Sequence, residues 1–232
     1  MAEAASEALS AAVCIAIVGA ESTGKTQLAA ALAPALAQHT GRRVAWVPEV
    51  LRSWCERTGR TPQAHEQAPI LRAQHEQIDA AAASHDIVVC DTTALMTAIY
   101  SRLIFGDRSL DARAATLHRR RIAATLLMAV DLPWVSDGHQ RDGPHVREPV
   151  DTALRELMQA HGIGFAVVGG AGPARLAQAL AAVAPVLRGK VAPAEASRGL
   201  FTGLGGARRG GWACECCLPD QERALRRAAG PR

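Results

Sequence analysis

The sequence predicts an α/β fold in which a five-stranded parallel sheet carries helices on both faces. Three observations lead there. Short apolar runs alternate with longer segments of helical composition, as strand–helix–strand units do. The first run leads directly into a Gly-rich turn followed by an Ala/Leu-rich segment. Successive runs then close at Gly19, Glu49, Asp91 and Asp131, and ligands on parallel sheets gather at the carboxyl ends of strands.

In order, residues 13–18 read as the first strand, the turn follows, and a helix runs from about 25 to 38. Gly41-Arg42-Arg43 is a turn before a second strand at 44–47. A helical excursion covers 49–57, and Pro69 suits the first turn of a longer helix reaching about 83. A third strand, 87–90, ends at Asp91; helices at 93–105 and 111–123 follow. The fourth strand, 126–130, ends at Asp131 and opens a polar, Pro/Gly-containing loop, 132–148. A helix (150–161), a strand (164–168) and a helix (173–187) complete the body. The expected organisation is an extension at 1–11, a folded domain at 12–187, and a Gly/Arg/Cys-rich tail at 188–232.

Composition narrows the functional class. Net charge is +4, and the nine Arg/Lys against four Asp/Glu from Arg188 onward leave the body close to neutral. Basic residues spread along a tail without interleaved aromatics read as a solvated segment rather than a nucleic-acid surface. No run approaches the ~18–20 apolar residues that span a bilayer. The opening carries Glu3 and Glu7 and no cation, unlike a signal peptide. Cys14, Cys55 and Cys90 stand apart in sequence, as small buried hydrophobes do, and a reducing cytosol is the expected setting.

The turn after the first strand is Gly19-Ala20-Glu21-Ser22-Thr23-Gly24-Lys25-Thr26, with the P-loop spacing G-x4-G-K-T. Its backbone N–H groups and the following helix N-terminus make an anion site for a β-phosphate. Lys25 neutralises β/γ oxygens and the Thr26 hydroxyl ligates Mg²⁺. Gly19, Glu21, Ser22, Thr23, Gly24, Lys25, Thr26 and the adjoining Gln27 are the expected ATP site. The chain uses only two Lys among its cations, and one stands where a compact ammonium is wanted and a planar guanidinium would not serve. The competing interpretation is a chance Gly-rich turn.

Asp91 closes the apolar run 87–90 in the form of a Walker B strand, so its carboxylate is expected to hold the Mg²⁺ shell or orient a substrate hydroxyl. The alternative is a cap on the next helix. Glu49 and Arg52, after the second strand, occupy the corner that faces a phosphoryl acceptor; alternatively they are a helix-terminal Glu and a surface Arg. The loop 132–148 carries Trp134, Arg141 and Arg147. So long a loop is uncommon in a compact domain unless functional, which makes it a candidate lid whose arginines stabilise transferring phosphate.

Four strings, IVGAESTGKT, VPEVLRSW, IVVCDTT and DLPWVSDGHQRDG with a later Arg, resemble in order and spacing the NadR-type, ribosylnicotinamide kinase-like family over about residues 12–187. The resemblance implies a nucleoside-kinase-like P-loop NTPase fold with sheet order 2-3-1-4-5, and MgATP-dependent phosphorylation of nicotinamide riboside. It places Lys25 and Thr26 on ATP and Mg²⁺, Asp91 at the metal and catalytic position, Glu49 and Arg52 at the acceptor corner, and Arg141 and Arg147 in the lid. Trp54, Tyr100 and Trp134 are the aromatics available to stack on a substrate ring. Neither an adenylyltransferase nor a DNA-binding domain accompanies the motifs.

Cys214, Cys216 and Cys217 offer three thiolates toward Zn²⁺, one short of the four that structural sites take. Reactive thiols, or a metal shared within an oligomer, are the alternatives. Two functions from different classes remain: a small-molecule kinase acting on a nucleoside-type acceptor, and an ATP-binding switch with slow hydrolysis. A GTPase is excluded in its usual form, because guanine selection by Asn-Lys-x-Asp needs Asn and the chain has none. An AAA+ machine is disfavoured, since no helical lid domain follows the core.

Overall fold

Residues 12–135 and 143–188 are described by the computed structural model. Their elements run β1 (Val13–Val18), α1 (Lys25–Thr40), β2 (Val44–Val47), α2 (Val50–Thr58), α3 (Ala64–Ala82), β3 (Ile87–Asp91), α4 (Ala94–Phe105), α5 (Asp111–Arg121), β4 (Ile122–Met128), a 3₁₀ turn (Pro144–Val146), α6 (Arg147–Ala160), β5 (Ala166–Val168) and α7 (Gly172–Arg188). The five strands form one sheet ordered β2-β3-β1-β4-β5, with every neighbouring pair parallel.

The central strand explains the layering. All six residues of β1 are buried, because helices cover both faces of the sheet at its centre, while the edge strands keep Trp46 and Val167 exposed. Side chains alternate between the two faces. Val13, Ile15 and Ile17 join a core built with α1 and α7. Ala16 and Val18 face the opposite layer, filled from α3, α4, α5 and α6. Cys14 sits with Val47, Ile78, Val88 and Cys90 in a smaller cluster toward β2.

Packing overrides a local flaw in α1. Pro34 lies inside that helix, and a helix-interior proline costs about 3 kcal/mol. Leu28, Leu32 and Leu36, spaced one turn apart, are all buried beneath it. Each contributes roughly 1.5–3 kcal/mol, so together they outweigh the missing backbone bond.

Several expected boundaries move. The third helix starts at Ala64 rather than near Pro69, because Gln63 and Glu66 form a capping box that fixes its first turn. β4 begins four residues early, at Ile122, where α5 ends. It also ends at Met128, the last residue paired with β5. Asp131 therefore stands three residues beyond the strand, not at its end. The helix expected from 150 starts at Arg147, so the second flank of the proposed lid is helical.

Candidate functional site

The carboxyl edge of the sheet assembles the site from the P-loop upward. β1 ends at Val18 and α1 begins at Lys25, so residues 19–24 must turn the chain from strand to helix. Gly19 allows this at φ +152°, where a Cβ would lie 2.8 Å from the Met128 Cβ. Gly24 takes φ +79° in the left-handed region, with the Arg175 Nη1 and Leu132 Cδ1 at 3.2 and 3.3 Å from where its Cβ would be. Thr23 locks the turn, its hydroxyl donating to the Ala20 carbonyl at 2.7 Å. The Lys25 ammonium is buried and lies across the loop, donating to the Gly19 and Ala20 carbonyls at 2.9 Å each. Ser22 reaches the chain after β4: its hydroxyl donates to the Val135 carbonyl at 3.2 Å and accepts from the Val135 N–H at 2.9 Å.

Asp91 ends β3 beside this loop, at 1% exposure. Burial pushes its carboxyl above the ordinary carboxylate range, opposed by a hydrogen bond from Thr26 and by the charges of Lys25 and Arg52. Its Oδ1 is buried without a hydrogen-bond partner. A desolvated carboxylate oxygen next to a threonine hydroxyl is a hard oxygen donor set, which suits Mg²⁺ keeping several of its waters. The capping alternative falls to a different residue: Thr93 caps α4, its hydroxyl accepting from the Leu95 N–H at 3.4 Å. Between the two, Thr92 holds φ +73°, an uncommon conformation for a β-branched residue.

Glu49 is the first flanking residue of α2, with an extended backbone. Its carboxylate lies 3.9 Å from the Arg52 Nε, an ion-pair distance rather than a hydrogen bond. The corner is held from below by Gln74, which accepts from the Val50 N–H at 2.8 Å and donates to the Pro48 carbonyl at 3.3 Å. Lys25, Thr26, Asp91, Arg52 and Glu49 thus form one neighbourhood.

The remaining expected residues are distributed less evenly. Glu21 is half-buried in the loop, and the indole Nε1 of Trp134 is buried without a hydrogen-bond partner. Gln27 is exposed on the first turn of α1. Trp54 turns its ring to Arg60, whose guanidinium stands 4.9 Å from the ring centroid. Tyr100 packs against the core on the α4 side. Arg147 is buried at 8% exposure, and its Nε and Nη2 find no hydrogen-bond partner. Arg141 and the cysteines at 214, 216 and 217 lie outside the described residues. Among the described residues no cluster suits a metal held by His, Cys, Asp and Glu, the three cysteines are buried and form no disulfide, and no helix is long and apolar enough to cross a membrane.

The arginine that sequence reasoning passed over is Arg175, near the start of α7. It is buried, donates to the Thr23 carbonyl across 152 residues of chain, and pairs with the Asp131 carboxylate. Asp131 also accepts from the Gly170 N–H. The sole trace in the sequence is an Arg set in the otherwise apolar opening of a helix, Gly172-Pro173-Ala174-Arg175-Leu176. Asp131 was expected to face ligand and instead carries this internal pair.

Comparison with known proteins supports the fold described. No curated protein matches the chain. Among solved structures, NadR in complex with NAD and AMP-PNP aligns with TM-score 0.62 at 18% identity, over 79% of this chain and 52% of that one. NadR in complex with NR aligns with TM-score 0.60 at 18% identity, over 75% and 50%. This chain spans about half the length of those NadR chains. A thymidylate kinase from Ehrlichia chaffeensis gives TM-score 0.52 at 16% identity, over 76% of this chain and 99% of that one. A family model described as an AAA domain matches residues 14–210. By that match the chain belongs to the AAA-domain family, and its described core is a P-loop fold of the kinase and ATPase kind, shared with NadR.

Proposed function

We propose that the protein is an MgATP-dependent kinase that transfers the γ-phosphoryl group to a hydroxyl of a small nucleoside-type acceptor, with nicotinamide riboside the first to try. The observation that carries this is Asp91: a buried carboxylate with one unpaired oxygen, bonded to the P-loop Thr26 and close to both Lys25 and Arg52. The catalytic unit is taken as residues 12–187.

The chemistry follows from that placement. The acceptor oxygen forms a bond to the γ-phosphorus, the bond from that phosphorus to the bridging oxygen breaks, and ADP leaves with the electron pair. The hydroxyl proton passes to Asp91 or Glu49, or to water. Mg²⁺, when bound, neutralises charge on the phosphate oxygens, with Thr26 and Asp91 as its protein-side holders. Lys25 exchanges the Gly19 and Ala20 carbonyls for phosphate oxygens. The loop N–H groups and α1 N-terminus bind the β-phosphate. Arg52, held by Glu49, is the acceptor-side cation, and Arg147 supplies an unsatisfied buried guanidinium for anionic ligand oxygens. Likeness to NadR structures with NAD and NR supports the choice of first acceptor.

The test is ADP release measured across a panel of nucleosides, beginning with nicotinamide riboside. Acceptor-dependent turnover should appear in the wild type and drop at least about a hundredfold in Lys25→Ala and Asp91→Asn, the scale on which removing a charge-stabilising group acts. Tight ATP binding with hydrolysis that no acceptor accelerates would instead establish the switch ATPase.

A further inference from the structure

We infer that Arg175 is a positioning residue for the phosphate-binding loop, an inference that rests on the nucleotide-binding reading above and adds a residue to it. The argument begins with one peptide unit. The carbonyl of Thr23 and the N–H of Gly24 belong to the same planar trans peptide, so they point in opposite directions. Arg175 donates to that carbonyl from behind the loop. Anchoring the oxygen on the α7 side therefore fixes the Gly24 N–H on the other side, toward the concave face where an anion binds. The Thr23 hydroxyl holds the turn at Ala20, but Gly24, at φ +79°, is the residue type with the least backbone restraint, so the bond from Arg175 adds a restraint on this peptide from outside the loop.

The guanidinium is held in turn. Its second amino group pairs with Asp131, whose other oxygen takes the Gly170 N–H. The bracket is built to close tolerance on both sides. A Cβ at Gly169 would come within 2.9 Å of the Asp131 Oδ2, and one at Gly24 within 3.2 Å of the Arg175 Nη1. Asp131 balances the charge of Arg175, so the effect on nucleotide is one of orientation more than of added positive potential. The guanidinium fork joins the P-loop to Asp131 in the chain after β4, and the Asp131 carboxylate carries the link on to the β5–α7 turn at Gly170. Lys, a point donor on a flexible stem, does not span two such acceptors together.

Titration calorimetry of ATP and of inorganic tripolyphosphate against the full chain tests this, with Arg175→Met and Arg175→Lys as variants and thermal unfolding as the control for folding. In any folded variant, affinity for both ligands should fall about ten- to hundredfold, the value of one well-aimed bond to a charged group, with Lys falling less than Met. The loss should appear in KM for ATP more than in kcat. Wild-type affinity in either folded variant would overturn the inference, as would a loss confined to ATP with tripolyphosphate unchanged. A wild-type protein that binds neither ligand would overturn the nucleotide reading itself.

Discussion

At the scale of single residues, the site depends on groups whose value comes from what cannot replace them. Gly19 is the clearest. Its φ of +152° disfavours any L side chain, and the nearest obstruction is the Met128 Cβ, a backbone-rooted atom that cannot swing aside. Gly19→Ala should therefore destabilise the protein by about 1–3 kcal/mol, the usual cost of overpacking, and weaken nucleotide binding as the loop shifts. Chemical denaturation and a binding titration check this; unchanged stability would show that β4 yields. The G-x4-G-K-T spacing made this glycine legible in the sequence, because the motif is local. Asp91 was legible for a related reason: an apolar run ending in a carboxylate is a local pattern. Its strained neighbour Thr92 was not, since a backbone dihedral leaves no mark in composition.

Elements are tied together by polar contacts that the sequence does not announce. His118, on α5, is buried at 3% exposure. Its Nδ1 shares a hydrogen bond with the Thr93 hydroxyl at 3.1 Å, and its Nε2 with the Thr125 hydroxyl at 2.8 Å. It thus joins the cap of α4, one residue past Thr92, to β4. Burial lowers its titration from 6.5 to about 4. Between those values the unfolded chain binds a proton that the native chain refuses, so stability is full above the unfolded value and falls as pH drops toward 4. The loss from this group is on the order of 3 kcal/mol. Denaturant midpoints at pH 7 and pH 4.5 should fall more steeply in the wild type than in His118→Gln, which does not titrate. Equal slopes would refute the assignment. The helices were legible from their apolar spacing. Their starts were less so: the capping box that opens α3 at Gln63 competed with Pro69 as a start signal and prevailed.

For the molecule as a whole, the site is a seam between loops, so its occupant should stabilise the fold. MgATP at a hundred times its dissociation constant adds about 2.7 kcal/mol, which for a chain of this size raises Tm by about 5–10 °C. The shift should vanish in Lys25→Ala and shrink when EDTA removes the metal. An equal shift in the Lys25 variant would place the nucleotide elsewhere.

The alternation of apolar runs and helices, the P-loop and the run ending in Asp91 determined the fold class from sequence alone, because each is a pattern of neighbours. The sheet order expected from the resemblance, β2-β3-β1-β4-β5, is the order found. Tertiary structure alone decided where the strands stop, since a strand ends where its partner does. β4 halts at Met128 because β5 offers Val168 as its last mate, and that releases Asp131 to meet Arg175. The pairing of Arg175 with Thr23 spans 152 residues, and no periodicity or motif in a one-dimensional string encodes a contact made only when two distant loops close on each other.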